Sequence, residues 1–287
     1  MRLAILASGT GWHVQDLLRA TATRRIETEV VDFRSLTAFV TTEEQLPELE
    51  KFDAVLVRMM PGGSLEQIVF RMDALEGLRR RGKLIVNAPK AIEASVDKYL
   101  TTSRLAAAGI PVPRTWVGEK AEAAMTAFVE LGGDVVVKPL FGSEGRGLVR
   151  VSDPNIAWRT FSTIERIQGV IYQQEFIRHP GYDLRAFVLG KKVLAGMRRY
   201  ADGDWRTNVA QGARAETADI SRIQEKLAID AAKAVGCEVA GVDLLPGPNG
   251  PVVLEVNGVP GWRALSSACT IDVAGAIIDH MHSLVSR

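Results

Sequence analysis

Asp243 and Glu255 are two carboxylates set twelve residues apart across Leu244-Leu245-Pro246-Gly247-Pro248-Asn249-Gly250-Pro251. Two apolar runs flanking a Pro/Gly/Asn cluster predict a β-hairpin, and an antiparallel register centred on Asn249 puts Asp243 opposite Glu255. Glu255 and Asn257, two apart on a strand, point to one face, while Leu254 and Val256 turn to the other. Facing carboxylates repel unless a cation sits between them. Hard oxygen donors without Cys or His suit Mg²⁺ or Mn²⁺ better than zinc. A solvated edge hairpin is the competing explanation, and spacing alone leaves both open.

A second chemistry-bearing segment lies upstream. Val135-Val136-Val137-Lys138 and Leu148-Val149-Arg150-Val151 are apolar strands bracketing Gly142-Ser143-Glu144-Gly145-Arg146-Gly147, three glycines in six positions. The backbone N–H groups of such a loop can approach phosphate oxygens closely, with Lys138 at its base. A glycine loop alone often only turns the chain. Joined to a lysine and a downstream carboxylate pair, it points to a nucleotide's phosphates beside a divalent cation.

The order Asp97-Lys98, Val137-Lys138-Pro139 with the glycine loop, Gln174-Glu175-Phe176-Ile177, Asp183-Leu184-Arg185, Arg206-Thr207-Asn208, Ala240-Gly241-Val242-Asp243 and Glu255-Val256-Asn257 resembles that of ATP-grasp ligases. Within that superfamily it most resembles the RimK-type α-L-glutamate ligases. The resemblance runs from about Asn87 to the C-terminus, and the first 85 residues share with the family only the size and character of an α/β domain.

That resemblance implies an α/β chain of the α+β ATP-grasp type: a small N-terminal parallel-sheet domain (1–88), a central lid subdomain (89–172) and a C-terminal antiparallel-sheet subdomain with the metal site (173–287), ATP lying between the last two. It places Lys98 and Lys138 on the α- and β-phosphates and Gly142, Ser143, Gly145 and Gly147 over them. Glu175 and Phe176 fall at the adenine and Asp183 at the ribose. Arg206, Asn208 and Arg185 fall at the reaction centre, and Asp243, Glu255 and Asn257 on two Mg²⁺ or Mn²⁺ ions. The implied reaction is an ADP-forming ligation in which an acceptor carboxylate becomes an acyl phosphate that the amine of L-glutamate attacks. Acceptors in the family include tetrahydromethanopterin- or methylofuran-type coenzymes, a protein C-terminus and an amino-group carrier protein. The coenzyme kind is favoured by a departure from the usual pattern, Gly258-Val259-Pro260-Gly261-Trp262-Arg263. Here Trp262 offers a stacking face and Arg263 a carboxylate partner, with Trp262 as a core residue the equal alternative.

Other features set bounds. A chain of 287 residues, 47% hydrophobic, has material for more than one subdomain. A net charge of +1 gives no bulk attraction to nucleic acid or membrane. No apolar run approaches the roughly 20 residues of a membrane helix. Arg2 to Ser8 is too short for the apolar core of a signal peptide, so a cytoplasmic enzyme is expected; a homo-oligomer (dimer or tetramer) is expected by family resemblance alone. Cys237 and Cys269 lie far apart without a CxxC and read as free thiols.

Alternating strands and helices are predicted to residue 88, and one helix from Ala91 to Ala108. Three decoys fail. Gly9-Thr10-Gly11 lacks the third glycine of a dinucleotide fingerprint, since position 14 is Val. Gly77 to Leu84 resembles a P-loop but ends a helix instead of opening one, and Arg79 to Arg81 suits a solvated helix end. His280 and His282 sit on the terminal helix away from any triad. A noncatalytic nucleotide-binding module would have lost a metal ligand or Arg206, and a biotin-dependent carboxylase would need a longer chain.

Overall fold

Leu3 to Ala7 and Ala54 to Val57 are buried along their whole length, as expected of parallel strands covered on both faces. The computed structural model describes every residue except 43, 143–144, 202, 204, 208–213 and 287. Its first sheet is parallel, in the order β2-β1-β5-β6, built from β1 (Arg2–Ala7), β2 (Glu27–Asp32), β5 (Ala54–Val57) and β6 (Leu84–Val86). A short ribbon of β3 (Phe39–Val40) and β4 (Glu44–Gln45) interrupts the alternation. Helix α1 (Trp12–Thr23) covers one face. Helix α2 (Leu65–Arg80) covers the other, opened by a capping box between Ser64 and Gln67.

The helix expected from Ala91 to Ala108 is two helices, α3 (Pro89–Val96) and α4 (Lys98–Ala107). Asp97 breaks it with an extended backbone, and its carboxylate accepts the Leu100 N–H at 2.9 Å as the N-cap of α4. The break puts Lys98 in a first helical turn, where its own N–H reaches Leu140 O at 3.3 Å.

The second sheet is antiparallel, in the order β7-β10-β8-β9, from β7 (Thr115–Gly118), β8 (Val135–Lys138), β9 (Val149–Val151) and β10 (Ile171–Glu175). Helices α5 (Ala121–Glu130) and α6 (Pro154–Arg166) lie on one side and enclose a separate apolar core around Phe128 and Phe161. β10 crosses the boundary expected at residue 172 and is an inner strand of this sheet.

The third sheet is antiparallel, in the order β13-β12-β11-β14-β15. It comprises β11 (Tyr182–Leu189), β12 (Lys192–Tyr200), β13 (Arg214–Thr217), β14 (Val239–Gly247) and β15 (Gly250–Asn257). Leu184, Ala186, Val188, Val242 and Val256 face α7 (Arg222–Val235) together with Ala91, Ala94 and Leu105 of α3 and α4. On the opposite face Phe187 and Leu189 join α1, the first sheet and the terminal helix α9 (Val273–Val285) in one core. A helix not foreseen from sequence, α8 (Arg263–Cys269), leads into α9. Asn87, just past β6, fastens the first sheet to the third. Its Nδ2 donates to Val239 O and Gly258 O, and its Oδ1 accepts the N–H groups of Glu238 and Val239.

Candidate active site

The carboxylate hairpin forms, but not by a uniform register. Gly247 pairs with Gly250 and Leu244 with Val253, a count that alone would leave Asp243 opposite Leu254. One extra residue in β15 makes a bulge, and Asp243 then pairs with Glu255 and Gly241 with Asn257. The bulge also changes where Leu254 goes. Expected on the face away from the carboxylates, it lines the same cleft as Glu255.

Cross-strand neighbours build the charged floor. Arg185 stands opposite Asp243, and its Nε and Nη2 each lie 2.7 Å from a carboxylate oxygen. Asp183 stands opposite Arg199, which grips it bidentately and reaches Asp243 Oδ2 at 2.9 Å. Thr207 Oγ1 donates to Asp183 Oδ2 at 2.6 Å. Asp183, expected as a ribose contact, therefore has both oxygens engaged within the protein. The facing anions do have cations beside them within the protein itself, because the Arg185 and Arg199 guanidinium groups meet the Asp243 charge. Burial would raise the Asp243 carboxyl, but Arg185 and Arg199 outweigh it and hold it below the usual range. Burial raises Asp183 despite Arg199.

Glu255 is the contrasting member. Burial and then the neighbouring Asp243 charge push its carboxyl up, against Lys98, Arg185 and Lys138. Among the described residues none hydrogen-bonds its side chain. Asn257 Nδ2 donates to Gly241 O at 3.2 Å, leaving its Oδ1 as an oxygen donor. Asp243 Oδ1 accepts one N–H in this arrangement, so the set Asp243, Glu255 and Asn257 retains hard oxygen lone pairs suited to Mg²⁺.

A cleft lies between the second and third sheets, as small-molecule sites commonly do between packed elements. Lys98, Lys138, Gly142, Gly145, Glu175, Phe176, Asp183, Arg206, Asp243 and Glu255 all border it. Lys98 Nζ donates to Gly142 O at 2.7 Å, tying α4 to the glycine loop. Lys138 donates to Gln174 Oε1, while Gln174 Nε2 donates to Tyr172 Oη and Thr115 Oγ1. Burial pulls the Lys138 ammonium down to about 8 and pushes the Tyr172 hydroxyl up to about 12. Glu175 is held by Arg114, and the Arg150 guanidinium lies 3.5 Å from the Phe176 ring centroid. Gly147 borders neither cleft, and Ser143 and Asn208 lie outside the described residues.

A second cleft opens from the first. The two share Gly142, Arg199 and Glu255, and the second is walled by Arg58, Arg185, Asn257 and Arg263. Trp262 is not one of its stacking faces. It is 2% exposed, its Nε1 donates to Asp16 at 2.9 Å, its N–H donates to His13 Nε2 at 3.1 Å, and Arg58 covers its ring. Of the two readings open for Trp262, the core one holds. Arg199 and Thr207 were missed by sequence reasoning. The sole signal for Arg199 was an arginine at a strand position that faces Asp183 once the β11–β12 hairpin is drawn.

A parallel sheet, an antiparallel lid and a charged antiparallel sheet with the cleft between the last two define an ATP-grasp ligase. The solved ATP-grasp ligase PsnB, complexed with a minimal precursor, Mg and ADP, superposes with a TM-score of 0.79 at 21% identity, covering 99% of this chain and 97% of that one. The family model for the RimK-like ATP-grasp domain matches residues 95–281. A tetrahydromethanopterin:alpha-L-glutamate ligase of Methanosarcina acetivorans is 34% identical over 83% of this chain and 82% of its own. A probable alpha-L-glutamate ligase of Legionella pneumophila is 32% identical over 98% and 95%. The chain belongs to the RimK-like ATP-grasp family and is a ligase that forms C–N bonds. Among the described residues no helix is long and apolar enough to cross a membrane.

Proposed function

We propose that the enzyme adds L-glutamate to a carboxylate-bearing acceptor, with ATP converted to ADP and phosphate. The observation that carries this reading is the meeting of two clefts at Glu255, one walled by the glycine loop and two lysines and the other by arginines. A relative named for glutamate ligation at 34% identity supports the amino acid, and its name supports a coenzyme-type acceptor such as tetrahydromethanopterin.

In this reading Lys98 and Lys138 bind the phosphates, the loop at 142–147 covers them, and Glu175 and Phe176 meet the adenine. Asp183 acts through Arg199, which in turn fixes the orientation of Asp243. Asp243, Glu255 and Asn257 hold Mg²⁺, with Mn²⁺ and a second ion as variants. The cation supplies positive charge on the transferring phosphoryl group when bound. A carboxylate oxygen of the acceptor attacks the γ-phosphorus and ADP leaves. Arg206 holds the acyl phosphate, whose carbonyl carbon the glutamate amine then attacks, and Asn208, by the family resemblance, would supply a neutral oxygen near Mg²⁺. Phosphate leaves and the amine loses a proton, which closes the amide bond.

The test is ADP release with L-glutamate against a panel of acceptors: coenzyme tails, a protein C-terminal peptide and a carrier-protein carboxylate. Products are read by mass spectrometry. Release that depends on glutamate and yields a product heavier by one glutamyl residue is expected. Equal release with other amino acids and none with glutamate rejects the reading.

A further inference from the structure

We propose that the crevice at the C-terminal ends of β1 and β5 is a carboxylate-binding subsite of the second cleft, with Arg58 as its cation. The inference rests on the glutamate-adding reading and adds the place where a substrate carboxylate that does not react is held.

Topology singles out this crevice. β2 lies on one side of β1 and β5 on the other, so the chain reverses its direction of travel across the sheet between β1 and β5. In open parallel sheets ligands bind outside the carboxyl ends of the strands at such a point. The residues that follow these two strands include His13, Arg58, Met59 and Met60, and all four border the second cleft.

Arg58 is the group that gives the crevice its chemistry. Its Nη1 donates to Pro260 O at 2.8 Å and its guanidinium lies 4.8 Å from the Trp262 ring, contacts that fix the planar fork but carry no negative charge. Burial draws its pKa down to about 10. No carboxylate pairs with it among the described residues. Asp16, the acid nearest the Trp262 indole, is committed to Trp262 Nε1 and to Arg19. Two further guanidinium groups bordering this cleft, the half-buried Arg185 and the buried Arg199, are committed to Asp243 and Asp183. A desolvated guanidinium without a counterion is unfavourable, and a ligand carboxylate meets its fork with two charge-assisted hydrogen bonds. Burial lowers His13 to about 4, so its ring is neutral at pH 7. With Nε2 accepting the Trp262 N–H, it adds no charge that would compete for the anion.

Both substrates carry carboxylates, and the experiment separates them. Arg58→Met and Arg58→Lys are assayed in the full chain for KM of L-glutamate, KM of the acceptor, KM of ATP and kcat, with thermal unfolding as a folding control. The expected result is a 10- to 100-fold rise in KM for one carboxylate substrate, with the ATP KM and kcat within a few-fold of the parent. A rise for glutamate assigns the subsite to the amino acid, and a rise for the acceptor assigns it to the acceptor. The Met penalty disappears with L-2-aminobutyrate or L-norvaline in place of glutamate if the side-chain carboxylate is the one held.

Folded variants with every KM unchanged overturn the proposal, as does an equal penalty on substrates lacking each carboxylate. Labelling of the unmutated enzyme by phenylglyoxal needs no variant. Slower modification of Arg58 with L-glutamate, or with glutarate as a dicarboxylate probe, supports the subsite, and identical rates overturn it. Wild-type ADP formation that requires a different amino acid rejects the glutamate reading, and the labelling then reads the subsite with that amino acid.

Discussion

Asp243 and Glu255 face each other across the hairpin because β15 inserts one extra residue, Leu254, between the partners of Leu244 and Asp243, and the pair is electrically unequal. One carboxyl is held ionised by two guanidinium groups. The other is pushed up by burial and by its neighbour. Their replacements should therefore behave differently.

Glu255→Gln removes an anion that no described residue hydrogen-bonds, so the unfolding free energy should stay level or rise while turnover falls roughly 100-fold or more. Asp243→Asn leaves Arg185 and Arg199 facing a neutral amide and should cost roughly 3–5 kcal/mol of stability in addition to activity. Denaturant unfolding and steady-state assays on both variants check this. Equal stability losses would remove the distinction.

Lys138 sets a pH dependence whose sign follows from its lowered pKa. Phosphates favour the charged ammonium, so nucleotide binding takes up a proton above pH 8, and ATP affinity should fall as pH rises past about 8. Without ligand, the unfolded chain keeps the Lys138 proton up to about pH 10.5 whereas the folded chain releases it near 8, so this residue makes stability rise with pH between those values. Lys138→Met should flatten both curves, measured by calorimetry and by unfolding between pH 7 and 10.

Gly147 has φ +73, and a Cβ there would lie 2.8 Å from Pro139 Cγ. Gly147→Ala should cost about 1 kcal/mol or more and weaken ATP binding by displacing the loop over Lys138. Unchanged ATP affinity in the folded variant would separate this glycine from the nucleotide.

Arg206 borders the first cleft, and the proposed role gives it more to do as charge moves off ATP than in the ground state. Arg206→Lys keeps the charge and loses the fork, so kcat should fall about tenfold or more while the calorimetric ATP affinity changes little. A raised KM with kcat intact would place Arg206 in ground-state binding alone.

Sequence periodicity and turn chemistry made the strands and most helices legible, and the hairpin spacing located the two carboxylates. The bulge at Leu254 was invisible, because hairpin symmetry gives the same pairing of Asp243 and Glu255 from the wrong centre. The break at Asp97 was hidden by apolar positions that continue a helical spacing on both sides of it. Arg199 carries no local motif, since its importance comes from a neighbour two strands away in the sheet. Trp262 shows the limit of residue type: a stacking aromatic and a core indole look alike until burial decides.

The four hydrogen bonds of Asn87 bear on how the molecule opens. They lock the parallel sheet to β14 and to the turn after β15, and α9 fills the space between those sheets with shared core. The lid encloses its own core around Phe128 and Phe161. The walls contributed by Arg58, Asn257 and Arg263 thus belong to the body these bonds hold together, and a movement of the lid would leave them in place. Admission of ATP and escape of ADP then require no repacking of the core that shapes the arginine-walled cleft.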